Sequence, residues 1–347
     1  MTEKLERFVE TPLDIKNLDI ILKKGWGIKK TDKALIITDK GDGENCLAPA
    51  LALEEVKALE KIGCIADIYL QNIKTGLDKV DLKLLEKIKN LDPGSVVVVS
   101  ASNNAGLLPE NEGNKSFKSF ILEKGLNLIY SLDLIQVKKE DWNIFAQAIS
   151  FDTSGYEKRW LEIKAVIDKG KEIVIKTDKG TDLHLDITER ETRLTCGNKN
   201  YGGTNLPFGE IFIAPIENKS TGKVIVDGTS KILSGAVRVK DSFELEFKDG
   251  HLINNTSEGL ASTISHIKEN DPAGNESIDT LTELGIGLNP NARLIGLMLV
   301  DEKTLGTAHI AIGTNTSFGG KNKCKYHFDQ VFRNPKIWVD GKEVIIG

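Results

Sequence analysis

His327, Phe328 and Asp329 place an imidazole and a carboxylate two residues apart, which is the repeat of a β-strand. On a strand both side chains project from one face, with Tyr326 and Phe328 packing on the other, and the pair forms a clamp for a divalent cation. Eighteen residues earlier, His309 sits in the run Ala308-His309-Ile310-Ala311-Ile312. Read as a strand, this run turns Ala308, Ile310 and Ile312 to one face and leaves His309 on the other, beside Ala311 and Gly313. A lone histidine in an apolar strand is more often a core residue than a ligand, and the nearby His-x-Asp pair is what raises the ligand reading. Imidazole plus carboxylate suits zinc, cobalt, manganese or ferrous iron. The stretch Gly313 to Gly320 between the two halves reads as a tight loop that lets backbone approach a ligand.

Two further carboxylates stand in apolar surroundings. Glu210 opens the run Ile211-Phe212-Ile213-Ala214, and Glu283 interrupts Leu281-Thr282-Glu283-Leu284-Gly285-Ile286-Gly287. An acid so embedded is paired, protonated or metal-bound. Together with His309, His327 and Asp329 they make a set of two histidines and three carboxylates, suited to one or two catalytic divalent ions. Cys324 lies close enough in sequence to serve as a soft ligand, but a small buried thiol is the plainer reading.

The elements that must position these groups follow from the periodicity of the chain. Residues 1–150 alternate aliphatic runs and amphipathic stretches, the pattern of an open, mostly parallel α/β sheet. Strands are expected at Ala34–Thr38, Ile65–Leu70 and Ser95–Ser100, the last β-branched throughout its core and so buried on both faces. Helices are expected at Pro49–Lys61 and Asp81–Lys89. Gly41 to Cys46 has some likeness to a dinucleotide-binding turn, but Cys46 stands at the third small position and no acidic residue clearly ends the second strand, so a helix-capping turn is preferred. Asn103 and Asn104 follow the Ser95–Ser100 strand where open sheets place ligand-contacting loops, although asparagine also favours turns.

From Ser154 to Gly170 the apolar residues fall at helical spacing, and this helix leads into a second domain, residues 151–347. There the period becomes two, at Glu172–Thr177, Leu183–Ile187, Gly209–Ile216, Lys223–Val226 and Ser242–Phe247. With one helix near Glu258–Glu269 and a closing hairpin turned at Asp340-Gly341, this is a largely antiparallel α+β, metal-binding domain.

Composition bounds the function. With 347 residues, 40% hydrophobic and 28% charged, the chain is long enough for about two soluble globular domains. A net charge of −5 provides no basic face for phosphate backbones, which argues against nucleic acid. No signal-like or membrane-spanning apolar run is expected, so a cytoplasmic location is the default. Cys46, Cys64, Cys196 and Cys324 show no paired spacing and so suggest neither a disulfide framework nor a structural zinc site.

Several of these blocks resemble, in order, the signature segments of the M29 family of aminopeptidase T-like, thermophilic metalloaminopeptidases. They are Gly180-Thr181-Asp182-Leu183, Asn205 to Pro215, Glu283-Leu284-Gly285-Ile286-Gly287, His309-Ile310-Ala311-Ile312-Gly313 and His327-Phe328-Asp329. The resemblance implies a metal pair, of zinc, cobalt or manganese, held by Glu210, Glu283, His309, His327 and Asp329, with Glu210 and Glu283 as the catalytic carboxylates. It also implies a homodimer. The family's tyrosine ligand falls at Thr316, which places the second metal position in question.

The leading expectation is therefore a metalloaminopeptidase, in which a divalent pair polarises the scissile carbonyl, activates water and holds the free α-amine of a peptide. The alternative is a mononuclear non-haem Fe(II) enzyme using His309, His327 and Asp329 as a 2-His-1-carboxylate triad. A dihydroxypyridine ring-cleaving dioxygenase group resembles the M29 fold, so such an enzyme would act on a small aromatic molecule. A catalytically silent metal-binding relative is the third reading.

Overall fold

The computed structural model describes residues 2–113, 115–198 and 205–346. The chain forms two compact units, Met1–Asp152 with Gly197–Phe208, and Thr153–Cys196 with Gly209–Gly347. Residues 205–208, which the sequence reading leaves in the second domain, group with the first unit.

In the first unit, β1 (Lys33–Thr38), β2 (Ile65–Leu70), β3 (Val96–Ser100) and β4 (Asn127–Ser131) form a parallel sheet of order β2-β1-β3-β4. All five residues of β3 are buried, as a β-branched strand covered on both faces requires. The helices Leu47–Ile62 and Leu82–Lys89 fall within two residues of their expected bounds. The Gly41–Cys46 segment is a turn held by its own side chains, because Asp42 Oδ1 accepts from the amides of Glu44 and Asn45 at 3.0 and 2.7 Å. Asn103 and Asn104 also serve the local chain: Asn103 donates to the Lys74 carbonyl, and Asn104 Oδ1 accepts from the Gly106 amide.

The second unit begins with the helix Glu157–Lys169 and continues as β5 (Glu172–Lys176), β6 (Asp182–Asp186), β7 (Arg193–Thr195), β8 (Glu210–Ile213), β9 (Thr221–Val226), β10 (Thr229–Ile232), β11 (Gly235–Arg238), β12 (Phe243–Lys248) and β13 (His251–Asn255). After the helix Glu258–Asn270 come β14 (Leu281–Gly287), β15 (Thr307–Gly313), β16 (His327–Arg333), β17 (Lys336–Val339) and β18 (Lys342–Val344). They form two seven-stranded sheets, β11-β10-β16-β15-β14-β8-β7 and β13-β12-β9-β6-β5-β17-β18. Neighbouring strands in both are antiparallel where their pairing is described. The final hairpin turns at Asp340 and Gly341, both with positive φ, as a tight two-residue connection demands. Among the described residues, no helix is long and apolar enough to cross a membrane.

The first of these two sheets carries the five histidine and carboxylate ligands expected from the sequence on one face. Gly287 lies opposite Glu210, Gly285 opposite both Phe212 and His309, Glu283 opposite Ala311, Ala311 opposite Asp329, and Gly313 opposite His327. Paired residues share a face and alternate residues of a strand share a face, so Glu210, Glu283, His309, His327 and Asp329 all project the same way. The other face is Ile211, Ile213, Leu284, Ile286, Ile310, Ile312, Phe328 and Phe332, each at most 4% exposed. Both faces of β14 and β15 are buried, so the ligand face is itself an enclosed layer.

Candidate metal centre

Glycine clears the space in which the ligands meet. A Cβ at Gly285 would lie 2.0 Å from His309 Cε1, so the imidazole rests directly on the β14 backbone. A Cβ at Gly287 would lie 2.1 Å from the Thr304 carbonyl oxygen, and this allows the segment after the short helix Met298–Asp301 to close over the same face.

All five residues expected from the sequence come together, in two groups. Glu283, His327 and Asp329 offer ligand atoms within 4.8 Å of one another, and so do Glu210, Glu302 and His309. His327 Nε2 lies 3.0 Å from Asp329 Oδ1 and 3.1 Å from Glu283 Oε2. His309 Nε2 lies 3.3 Å from Glu210 Oε1 and 3.4 Å from Glu283 Oε1. Glu283 thus bridges the two imidazoles. The expected triad of His309, His327 and Asp329 lies within this cluster, with Asp329 beside His327 and with Glu283 between the two imidazoles.

The two histidines are prepared differently. His327 Nδ1 is 2.8 Å from the Thr314 carbonyl oxygen, to which it donates, leaving Nε2 to face Asp329 and Glu283. This is the usual preparation of a metal-binding imidazole, with one nitrogen fixed on a carbonyl and the other presented to the ion. His309 Nδ1 has no hydrogen-bond partner among the described residues. Its Nε2 faces two carboxylates, as the Nε2 of His327 does.

Burial and mutual charge set the protonation of the set. Burial opposes charge on His327, but Asp329 and Glu283 raise its pKa well above the ordinary imidazole value. Burial also acts to raise Asp329, yet the His327 charge drives that carboxyl far below the usual range. Glu283 is likewise held low against burial by its bonds to His309 and His327. His309 is raised to about 9, because its bond to Glu283 and the charge of Glu210 outweigh desolvation. Glu210 is pushed up to about 8 by burial, against the pull of Lys303. The donor set therefore gathers positive charge in the form of protons, and a divalent ion fits in their place. Glu283, His327 and Asp329 would hold it through oxygen and imidazole nitrogen, a hard set suited to Fe(II), Mn(II) or Zn(II).

The loop carrying the Thr314 carbonyl is tied down by groups that sequence reading missed. Arg190 donates to the Gly319 carbonyl and pairs with Glu217 Oε2 at 2.6 Å. Glu217 Oε1 accepts from Asn315 Nδ2 at 3.1 Å and from the Lys321 amide. Asn315 Oδ1 in turn accepts from the Asn322 amide at 2.9 Å. Thr316 is exposed on this loop, with its hydroxyl 3.4 Å from that of Thr314. Cys324 is no part of either group: its thiol lies 3.2 Å from Asn275 Oδ1. Glu302 and the fully buried Lys303 were also missed. Both follow a short helix, where charged residues ordinarily face solvent, and no local pattern marks them as buried.

Comparison with known proteins bears on the fold and the family. A 2,5-dihydroxypyridine 5,6-dioxygenase of Pseudomonas putida is 23% identical over 209 residues, which cover 56% of this chain and 58% of that protein. The chain thus matches little more than half the length of that relative. The structure of a 2,5-dihydroxypyridine dioxygenase from Pseudomonas putida superposes with a TM-score of 0.69 at 17% identity, covering 100% of this chain and 96% of that one. Wild-type AmpT from Thermus thermophilus superposes with a TM-score of 0.64 at 16% identity, over 95% and 99% of the two chains. The likeness to aminopeptidase T seen in the sequence blocks therefore holds for the fold. The family model that matches is NicX, 2,5-dihydroxypyridine 5,6-dioxygenase, over residues 135–347. With more than half of its length matched, including every residue of both candidate metal groups, the chain belongs to the NicX family.

Proposed function

We propose that this chain is a mononuclear non-haem Fe(II) dioxygenase that opens the ring of a dihydroxylated pyridine or a closely similar aromatic. The observation that carries the reading is the asymmetry of the two imidazoles at Nδ1: that of His327 is fixed on the Thr314 carbonyl, with Nε2 beside Asp329 and Glu283, while that of His309 has no partner among the described residues. One prepared imidazole with two carboxylates suits a single ion with open positions. Fe(II) supplies the capacity to bring dioxygen and an electron-rich ring together, which no side chain of the chain can do.

The protein's own groups have definite parts. The Nδ1 donation from His327 to Thr314 fixes the ring plane. His309 holds a proton at Nε2 between Glu210 and Glu283, which keeps the Glu283 carboxylate oriented toward the centre. Glu210, held between His309 and Lys303, is the carboxylate that fixes both of these cations beside the centre. An aromatic wall flanks the centre: Phe318 meets His327 edge-on at 6.0 Å between ring centroids and Phe212 at 5.5 Å. Flat apolar surfaces of this kind favour a planar aromatic over an extended peptide.

The second reading is the aminopeptidase, supported by the fold shared with AmpT and by the second group, Glu210, Glu302 and His309. The deciding experiment reconstitutes the purified chain anaerobically with Fe(II), then measures oxygen uptake with 2,5-dihydroxypyridine. In parallel, the chain loaded with zinc, cobalt or manganese is assayed on leucyl anilides. Oxygen uptake coupled to loss of the aromatic chromophore is the expected result. Anilide hydrolysis without oxygen uptake reverses the reading. We further propose Glu283, His327 and Asp329 as the ion's ligands, a small aromatic molecule as substrate, and a homodimeric, cytoplasmic protein, the dimer to be checked by sedimentation of the purified chain.

A further inference from the structure

Lys303 is fully buried beside the candidate metal centre. Its ammonium lies 3.5 Å from Glu210 Oε2 and touches Glu302 Oε1. These are two of the three residues of the second candidate metal group, whose third, His309, is 3.3 Å from the other oxygen of Glu210. A fixed cation therefore already sits on the carboxylates that a second divalent ion would need.

The position of Lys303 is set by its backbone. Its amide donates to the Val300 carbonyl at 3.0 Å, and its carbonyl accepts from the Asn289 amide at 2.8 Å. Just before it, Asp301 is buried and accepts from Thr229 Oγ1 at 2.6 Å and from the amides of Ile295 and Gly296 at 2.8 and 2.9 Å. The missing side chain of Gly287 allows Thr304 to press against β14. The ammonium is thus delivered from an anchored segment.

We infer that Lys303 is a built-in substitute for a second metal ion: its ammonium neutralises Glu210 and Glu302, and thereby limits the centre to one divalent ion, at Glu283, His327 and Asp329. A second ion placed between Glu210, Glu302 and His309 would have to displace the ammonium from both carboxylates and remain beside it without intervening water. This rests on the one-ion reading of the proposed function and supplies its physical cause. It also explains how a fold shared with AmpT can favour a single ion. Lys303 is a positioning residue, since it acts through Glu210 and Glu302.

The test is metal stoichiometry, read without turnover. The full chain, stripped of metal, is titrated with Mn2+, and bound ions are counted by elemental analysis after desalting while electron paramagnetic resonance distinguishes isolated from exchange-coupled ions. Wild type is expected to hold one ion per chain, magnetically isolated even with Mn2+ in excess. Lys303→Met is expected to hold two, exchange-coupled, and Lys303→Arg to remain at one. Two coupled ions in wild type, or one ion in Lys303→Met, overturns the inference. Lys303→Met could lose its fold without metal, because it leaves buried carboxylates unpaired, so it is also produced and refolded with excess Mn2+. Failure to fold even then overturns the inference as well, since a second ion would be no replacement for the ammonium. Oxygen uptake with Fe(II) reports separately on function: a one-ion wild type that is inert toward dihydroxypyridines sinks the reaction and leaves Lys303 its role, while oxygen uptake by a two-ion wild type does the reverse.

Discussion

Glu55 in the first unit and Glu283 in the second are both buried glutamates, with opposite environments. Glu55 lies on the helix Leu47–Ile62, where one oxygen accepts from Ser100 Oγ at 2.7 Å and the other has no partner among the described residues. Burial pushes its pKa up to about 8, and the Ser100 bond offsets only part of this. Glu283 is equally enclosed, but each of its oxygens faces an imidazole and its carboxyl is held below the usual range. A lone buried carboxyl resolves its desolvation by taking a proton, whereas a carboxyl set among cations keeps its charge. The first unit has made Glu55 a neutral core residue. The second keeps the Glu283 oxygens anionic.

The largest effect expected from breaking this contrast is at His327. His327→Gln retains an amide that can bond to a neighbouring carboxylate but removes the imidazole ligand, so ion binding and turnover should both fall below detection. Metal analysis together with circular dichroism checks this, because the strands keep their own apolar face and the chain should remain folded. Full metal content in the variant would place the ion elsewhere.

A smaller effect follows from the protons that stand in for the ion. Without metal, His327 is protonated well above the ordinary imidazole range, and an ion at Nε2 must displace that proton. Affinity should therefore rise with pH, by about tenfold per unit for each proton released, or roughly 100-fold from pH 6 to pH 8 for one proton. Calorimetric titration with Mn2+ in buffers of different ionisation enthalpy counts the protons directly. A pH-independent affinity would mean that the imidazole is already neutral and that the contrast with Glu55 is overstated.

Glu55 itself yields a prediction of opposite kind. Its folded-state pKa is raised from 4.5 to about 8, so the folded chain binds a proton that the unfolded chain has released across this window. The stability it contributes is present below about pH 4.5 and is lost as pH rises through about 8, at roughly 5 kcal/mol at the very most. Glu55→Gln removes the titration and should flatten the alkaline decline in urea midpoint between pH 6 and pH 9, leaving ion binding unchanged. An unchanged decline would show that Glu55 finds a cation or water as partner in solution.

How legible these features were depends on whether they are written along one strand or across several. His327 and Asp329 were readable because a period of two is local, and Glu210, Glu283 and His309 because a charged group inside an apolar strand stands out. The division into two groups was not readable, since it depends on the pairing of β8, β14, β15 and β16 and on the register shift between Leu281 and Glu283. Lys303 gave no sign at all, because burial of a lysine is decided by where the chain passes after Asp301. The α/β sheet was legible from its aliphatic runs. The grouping of residues 205–208 with the first unit was not, because no local period marks it.

The smallest effect, and the sharpest test of which imidazole serves the ion, comes from Gly285→Ala. The added methyl would lie 2.0 Å from His309 Cε1, so the ring must move, while the His327 bond to Thr314 is left untouched. Crowding a packed interior costs about 1–3 kcal/mol, readable as a lower urea midpoint. If His309 serves only to orient Glu283 through a salt bridge, Mn2+ affinity should fall by roughly the 10–100-fold typical of disturbing a ligand's supporting contact, and binding should survive. If instead binding vanishes as it does in His327→Gln, His309 is itself a ligand. The 2-His-1-carboxylate set of His309, His327 and Asp329 then returns, and Glu283 becomes the group that relies on a proton, as Glu55 does.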